Sequence, residues 1–184
     1  MRKKMSILTY QLWNNISETT DLLSRYSTEY FSGFNISFEQ YLILMIIKYY
    51  RFATQTDINL SSTAIQANRN INSVSEIVDR MVKNGFVQKL RDLPDRRSFR
   101  LVITEKGEQI FKICAQSSLV DIEDLFSIFS KEEKEAYLAL IHKLRGRIKE
   151  RIDVKQPSFF DIEDINNRAH LLAFLKTIQR ISNK

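Results

Sequence analysis

Cysteine occurs once among the 184 residues, proline twice and glycine four times. A single thiol, Cys114, excludes an intrachain disulfide and suits a reducing compartment, so a cytoplasmic protein is expected. With glycine and proline this sparse, long irregular segments are disfavoured and helix should dominate. No apolar run approaches the ~18–20 residues of a membrane span. The opening MRKKMSILTYQLWNN also lacks the apolar core and small-residue cleavage site of a secretion signal. His142 and His170 lie far apart and, with one cysteine, give no zinc-ligand spacing. Also missing are a Gly-rich phosphate loop, a Ser/His/Asp or Cys/His arrangement, and a carboxylate pair distinguishable from salt-bridged surface. Neither a cofactor nor enzymatic chemistry is therefore expected.

What is present is enough apolar material for one globular domain, 43% against 27% charged, and a net charge of +6. The charge is focused. Between Gln66 and Lys106 nine cations face five anions, so under a quarter of the chain holds four of the six excess charges. Its centre is LRDLPDRRSFRLVIT, residues 90–104, where four arginines surround one proline.

Apolar residues recur at helical spacing from Ile7 to about Phe31, with Gly33 as the stop. Ser37 with Gln40 forms a capping-box pattern ahead of FEQYLILMIIKYY, apolar on nearly every side and therefore central. Residues 51–60 show no period and are expected to be a loop or short turn. SSTAIQAN reads as a short helix capped by Ser61 or Ser62, followed by a tight connection over Arg69–Ile71. NSVSEIVDRMVKNG is the clearest helix. Val74, Ile77, Val78, Met81 and Val82 make its apolar stripe, and Gly85 its stop. FVQKLRD and SFRLVIT are two strand-like runs around LPDRR. Helices follow from Thr104 to about Phe126 and from Ser130, with Glu133, to about Ile152. After Pro157 helical periodicity resumes over Asp161–Ile181.

A short helix, a tight turn, a helix with a polar outer face and a basic hairpin together make a winged helix-turn-helix. The fold expected is mainly α with a small β-hairpin wing. Each part suits double-stranded DNA. A helix fits the ~12 Å major groove, where small polar side chains approach base edges and phosphates. Free N–H groups at the helix starts near Ser61 and Asn72 suit phosphate, and a thin arginine-tipped hairpin suits the minor groove. The DNA-facing set is Ser61, Ser62, Asn70, Asn72, Ser73, Ser75, Arg80, Arg96 and Arg97, with Asp95 as a wing buttress orienting the adjacent guanidinium. Glu76 and Asp79 fit scaffold or specificity roles rather than phosphate contact.

The run VSEIVDRMVKNGFVQKLRDLPDRRSFRLVITEKG resembles the signature of the MarR family of bacterial winged-helix regulators. Val78, Asp79, Arg80, Met81 and Gly85 match the end of the family's recognition helix. Asp92, Asp95, Arg96 and Arg97 match its D-x-x-D-R-R wing, and Ile103, Thr104 and Gly107 the start of its long helix. The resemblance implies a homodimer reading a pseudo-palindromic operator, usually as a repressor. It also implies a crevice for a small, often aromatic or phenolic effector, whose residues the sequence leaves unknown. By position Asp95 and Arg97 are the wing pair. The implied organisation is an N-terminal dimerisation helix at 1–34, the winged helix-turn-helix at 35–106 and dimerisation helices at 107–156. An additional C-terminal helix at 157–184, beyond the family pattern, is expected to pack across the dimer.

Blander alternatives stand beside these. The arginine hairpin could be an edge kept from aggregating by charge, and the whole could be a winged-helix protein-interaction module, which predicts an apolar recognition face. Cys114, among Ile110, Phe111 and Ile113, reads as a buried inert thiol rather than a redox sensor. Tyr10, Trp13, Tyr41 and Phe111 fit either an effector crevice or ordinary core.

Overall fold

Ser37 opens the central helix as its spacing predicts. Its hydroxyl accepts the Gln40 backbone N–H at 3.2 Å, and the Gln40 side chain accepts the Ser37 N–H at 3.1 Å. The computed structural model describes residues 5–91, 99–153, 172–178 and 180. In it helix α1 spans Ile7–Ser32, capped by Ser6, and α2 spans Phe38–Thr54. Ile43, Leu44, Ile46 and Ile47 on α2 are all buried, as a helix apolar on nearly every side requires. The stop at Gly33 is where the sequence puts it, but in right-handed backbone. Asn35, two residues on, takes the left-handed conformation.

The segment 51–60 departs from the expected loop. Helix α2 continues to Thr54, and Gln55 ends it in left-handed backbone (φ 58) with its N–H returned to the Arg51 carbonyl. Ile58–Asn59 then form strand β1. Two residues are too few to show an alternation, so the strand exists only because β3 is there to pair with it. Ile58 lies opposite Leu101 and Asn59 opposite Arg100. The wing strands therefore belong to a three-stranded antiparallel sheet of order β1-β3-β2, in which β2 is Val87–Leu90 and the central β3 is Arg100–Ile103. Leu101 and Val87 point into the core.

Helix α3, Leu60–Gln66, starts one residue earlier than expected and is capped by Asn59, not by Ser61 or Ser62. Asn59 Oδ1 accepts the Ser62 N–H at 2.8 Å. Both Ser61 and Ser62 are already inside the helix, which is why neither can cap it. Helix α4, Ile71–Lys83, buries Val74, Ile77, Val78 and Met81, while Val82 sits at the stripe's edge at 39% exposure. Gly85 follows at φ +74, a turn that side chains resist.

Helix α5, Glu105–Leu125, is capped by Thr104, whose hydroxyl accepts the Gly107 N–H and donates to the Gly85 carbonyl at 2.6 Å. One side chain thus joins the end of α4's turn to the start of α5. Gly107 is needed there, since a Cβ would lie 2.1 Å from the Phe86 carbonyl oxygen. Helix α6, Lys131–Arg151, opens with the Ser130–Glu133 capping box and has no buried residue among those described. Of the expected C-terminal helix, 172–178 and Arg180 fall among the described residues. The stretch 172–178 is helical and buries Phe174 and Ile178, with the Phe174 ring against Tyr49 of α2. None of the described helices is long and apolar enough to cross a membrane.

Candidate nucleic-acid interface

Helices α3 and α4 meet through the turn Ala67–Asn70, closed by bonds from the Asn68 N–H to the Ile65 carbonyl and from the Arg69 N–H to the Ala64 carbonyl. Ala64 and Thr63 are buried at the contact, and small size lets the helices approach. Asn70 then caps α4, its Oδ1 accepting the Asn72 N–H at 2.8 Å. That use ties up the Asn70 oxygen in a scaffold bond, although its side chain remains exposed. The Ser62 and Asn72 N–H groups are likewise taken by caps, one donor in the first turn of each helix.

Beyond the cap, the outward face of α4 is polar. Asn72, Ser73, Glu76 and Arg80 are exposed, and Ser75 is half-buried. Asn72, Glu76 and Arg80 follow at four-residue intervals and so share a face. On α3, Ser61 is exposed and Ser62 half-buried. The structure thus brings Ser61, Asn70, Asn72, Ser73 and Arg80 to the surface of one helix-turn-helix. Asp95, Arg96 and Arg97 lie outside the described residues, as does the whole tip 92–98.

Of the cations concentrated in this region, several are committed internally. Lys89 Nζ lies 2.5 Å from Asp79 Oδ1 and 4.6 Å from the centre of the Phe99 ring. Arg100 pairs with Asp57, which also has Arg51 at 3.7 Å. Arg69 reaches Glu39 at 3.8 Å, and Lys106 donates to the Asn84 carbonyl at 2.9 Å. Arg80 and Lys83 on α4 are exposed, and no described acid pairs with either. The pairs Lys89–Asp79 and Arg100–Asp57 have no sequence signal: their partners are 10 and 43 residues apart. Asp79 is thus engaged by Lys89.

The aromatic candidates divide. Tyr10 and Trp13 are exposed on α1, at 53% and 70%, whereas Tyr41 and Phe111 stack at 5.8 Å inside the core. Tyr41 also stacks on Phe31 at 4.7 Å, and its hydroxyl meets Ser118 at 3.3 Å. Burial pushes the Tyr41 hydroxyl up to about 12. Next to this ladder Cys114 is fully buried, and desolvation pushes its thiol up to about 11.

Comparison with known proteins finds similarity centred on the winged region. Residues 36–99 match the MarR family model. A Bacillus subtilis protein, the uncharacterized HTH-type transcriptional regulator YybA, is 30% identical over 76 residues, 41% of this chain. The chain spans about half, 51%, of that relative's length. Among solved structures, the organohalide-sensing regulator RdhR in its 2,4-dichlorophenol-bound form superposes with a TM-score of 0.67 at 24% identity. The match covers 80% of this chain and 88% of that one. A mutant MarR from Escherichia coli complexed with operator DNA gives 0.65 at 20% identity, covering 76% and 99%. At these identities the two structures establish a shared fold.

Proposed function

We propose that this chain is a MarR-family winged-helix transcriptional regulator, as its match to the family model over 36–99 supports, and that it acts as a homodimeric, sequence-specific repressor. It would read a pseudo-palindromic operator and be released by a small aromatic effector. The observation that carries the DNA-binding part is the outer face of α4. It is polar and exposed at Asn72, Ser73 and Arg80, with Ser61 of α3 beside it. A protein-docking face would be apolar at its centre. Arg80 and Lys83 leave positive charge unneutralised near the end of α4, and the arginines Arg96 and Arg97 extend that charge to the wing by sequence. The MarR fold solved with operator DNA supports the same role for these elements.

Dimerisation is supported by α6. Tyr137, Ile141, Leu144, Ile148 and Ile152 recur at spacings of three and four residues, and none is buried within one chain. Ile7, Leu8, Leu12 and Trp13 on α1 are exposed too. Apolar stripes of this length on the outside of one chain mark a protein interface. Effector release is supported by the dichlorophenol-bound neighbour of the same fold. The relatives are regulators rather than enzymes, and a cytoplasmic location suits an operator-binding protein.

Titration against the chain's own upstream intergenic DNA and a scrambled duplex, at two salt concentrations, tests the reading. Binding that prefers the first by at least a hundredfold and weakens steeply with salt is expected. Equal weak binding to both would leave only a basic surface, and a protein-interaction module would become the better description.

A further inference from the structure

Helix α4 carries two acids, and the structure treats them differently. Asp79 has Lys89 Nζ at 2.5 Å, whereas no described cation or donor reaches the carboxylate of Glu76, which is exposed. Arg80 stands one turn on, the favourable order for an acid and a base on one helix, yet no ion pair joins these two residues. Glu76 also lies about midway along the helix and near the centre of its outward side. Val74, Ile77, Val78 and Met81 are buried, and the direction opposite them runs through Asn72, Glu76 and Lys83. Ser73 and Ser75 flank Glu76 with short side chains, so its carboxylate stands clear of them.

A carboxylate at that place is a liability unless it has a task. When α4 enters a groove, phosphates on both sides repel it and water is shed as the surfaces close. An unpaired acid there lowers affinity for every sequence alike. The base donors that the major groove offers it are the exocyclic amines of adenine and cytosine. These two are not equivalent. Adenine N6 lies between two acceptors, its own N7 and the thymine O4, and both repel the second carboxylate oxygen. Cytosine N4 has an acceptor on one side only, the guanine O6. A carboxylate is therefore better satisfied by cytosine.

We propose that Glu76 reads a cytosine in each operator half-site, accepting a hydrogen bond from that base's N4 amine in the major groove. The inference rests on the operator-binding reading above and adds the base that one residue selects. Along the helix axis Glu76 lies about 6 Å from Asn72 and about 6 Å from Arg80, roughly two base pairs each way. The three side chains can thus face different base pairs.

Selection from a random duplex library by the full chain, in parallel with Glu76→Gln and Glu76→Ala, tests this. Both substitutions keep a good helix former at an exposed position, so neither should move Tm by more than about 3 °C. The wild type should enrich a two-fold motif with cytosine at the position that responds to Glu76. In Glu76→Gln that position alone should turn to adenine, whose N6 and N7 a glutamine amide pairs with. Glu76→Ala should lose the preference there and keep the rest of the motif. On the enriched duplex, changing that C·G pair to T·A should weaken the wild type at least about fivefold and Glu76→Ala less than about twofold. The same motif in all three proteins would make Glu76 a solvated surface acid. A change at several positions at once would make it a residue that only positions the helix. Either result, or a responding position that holds a base other than cytosine, overturns the proposal. A wild type that enriches no motif defeats the operator-binding reading itself, and this proposal with it.

Discussion

Lys89 Nζ stands 2.5 Å from Asp79 Oδ1, an ion pair between strand β2 and the outer face of α4. The pair adds to the packing that orients the wing against the helix proposed to read DNA. Asp79 is 62% exposed and Lys89 25%, so water screens the pair and its contribution to stability is about 0.2–1 kcal/mol. Asp79→Asn should lower the unfolding free energy by no more than about 1 kcal/mol. A double-mutant cycle with Lys89→Met in urea titrations should return a coupling of that size. Zero coupling would mean that the orientation is set by packing alone.

The cations of the winged region divide by partner. Arg69 has Glu39 at 3.8 Å, whereas Arg97 is the residue that the wing signature marks for the minor groove. Arg97→Ala should weaken operator binding by ~1–3 kcal/mol and reduce its salt dependence. Arg69→Ala should change affinity several-fold less. Equal losses from both would point to a diffuse electrostatic attraction rather than a groove contact.

Gly107 is a point of backbone contact between α5 and the turn after α4. A Cβ there would sit 2.1 Å from the Phe86 carbonyl oxygen and 2.7 Å from Ile103 Cγ2. One partner is backbone and cannot step aside, so Gly107→Ala should destabilise the fold by about 3 kcal/mol. Thermal unfolding checks this, with Gly146→Ala as the control because a Cβ there would meet no described atom within 4 Å.

Burial raises the Cys114 thiol from 9.0 to about 11. Near neutral pH it is protonated in both states and contributes no pH dependence. Between about pH 9 and 11 the unfolded chain loses the proton while the folded one keeps it, so stability falls as pH rises through that window. The urea midpoint should drop across it, and less steeply in Cys114→Ala. The same neutral, buried thiol predicts that mild peroxide leaves DNA binding unchanged. A loss reversed by thiol reductant and absent in Cys114→Ser would show otherwise.

Much of this was legible in the linear sequence because its signals are local. The Ser37–Gln40 and Ser130–Glu133 boxes, the stripe Val74–Ile77–Val78–Met81 and the Gly85 turn each lie within a few residues, and each stands where its spacing puts it. The wing's basic character was equally plain, although its tip falls outside the described residues. Tertiary structure alone decided the rest. Strand β1 has two residues and exists through β3; Asn59 displaced Ser61 and Ser62 as a cap because that strand sets where α3 begins. Lys89, Arg100 and Arg69 became scaffold because folding brought carboxylates to them, and Phe174 met Tyr49 from the far end of the chain. Spacing along a chain encodes which face a residue takes on its own helix or strand, but which distant group it meets there depends on how those elements pack.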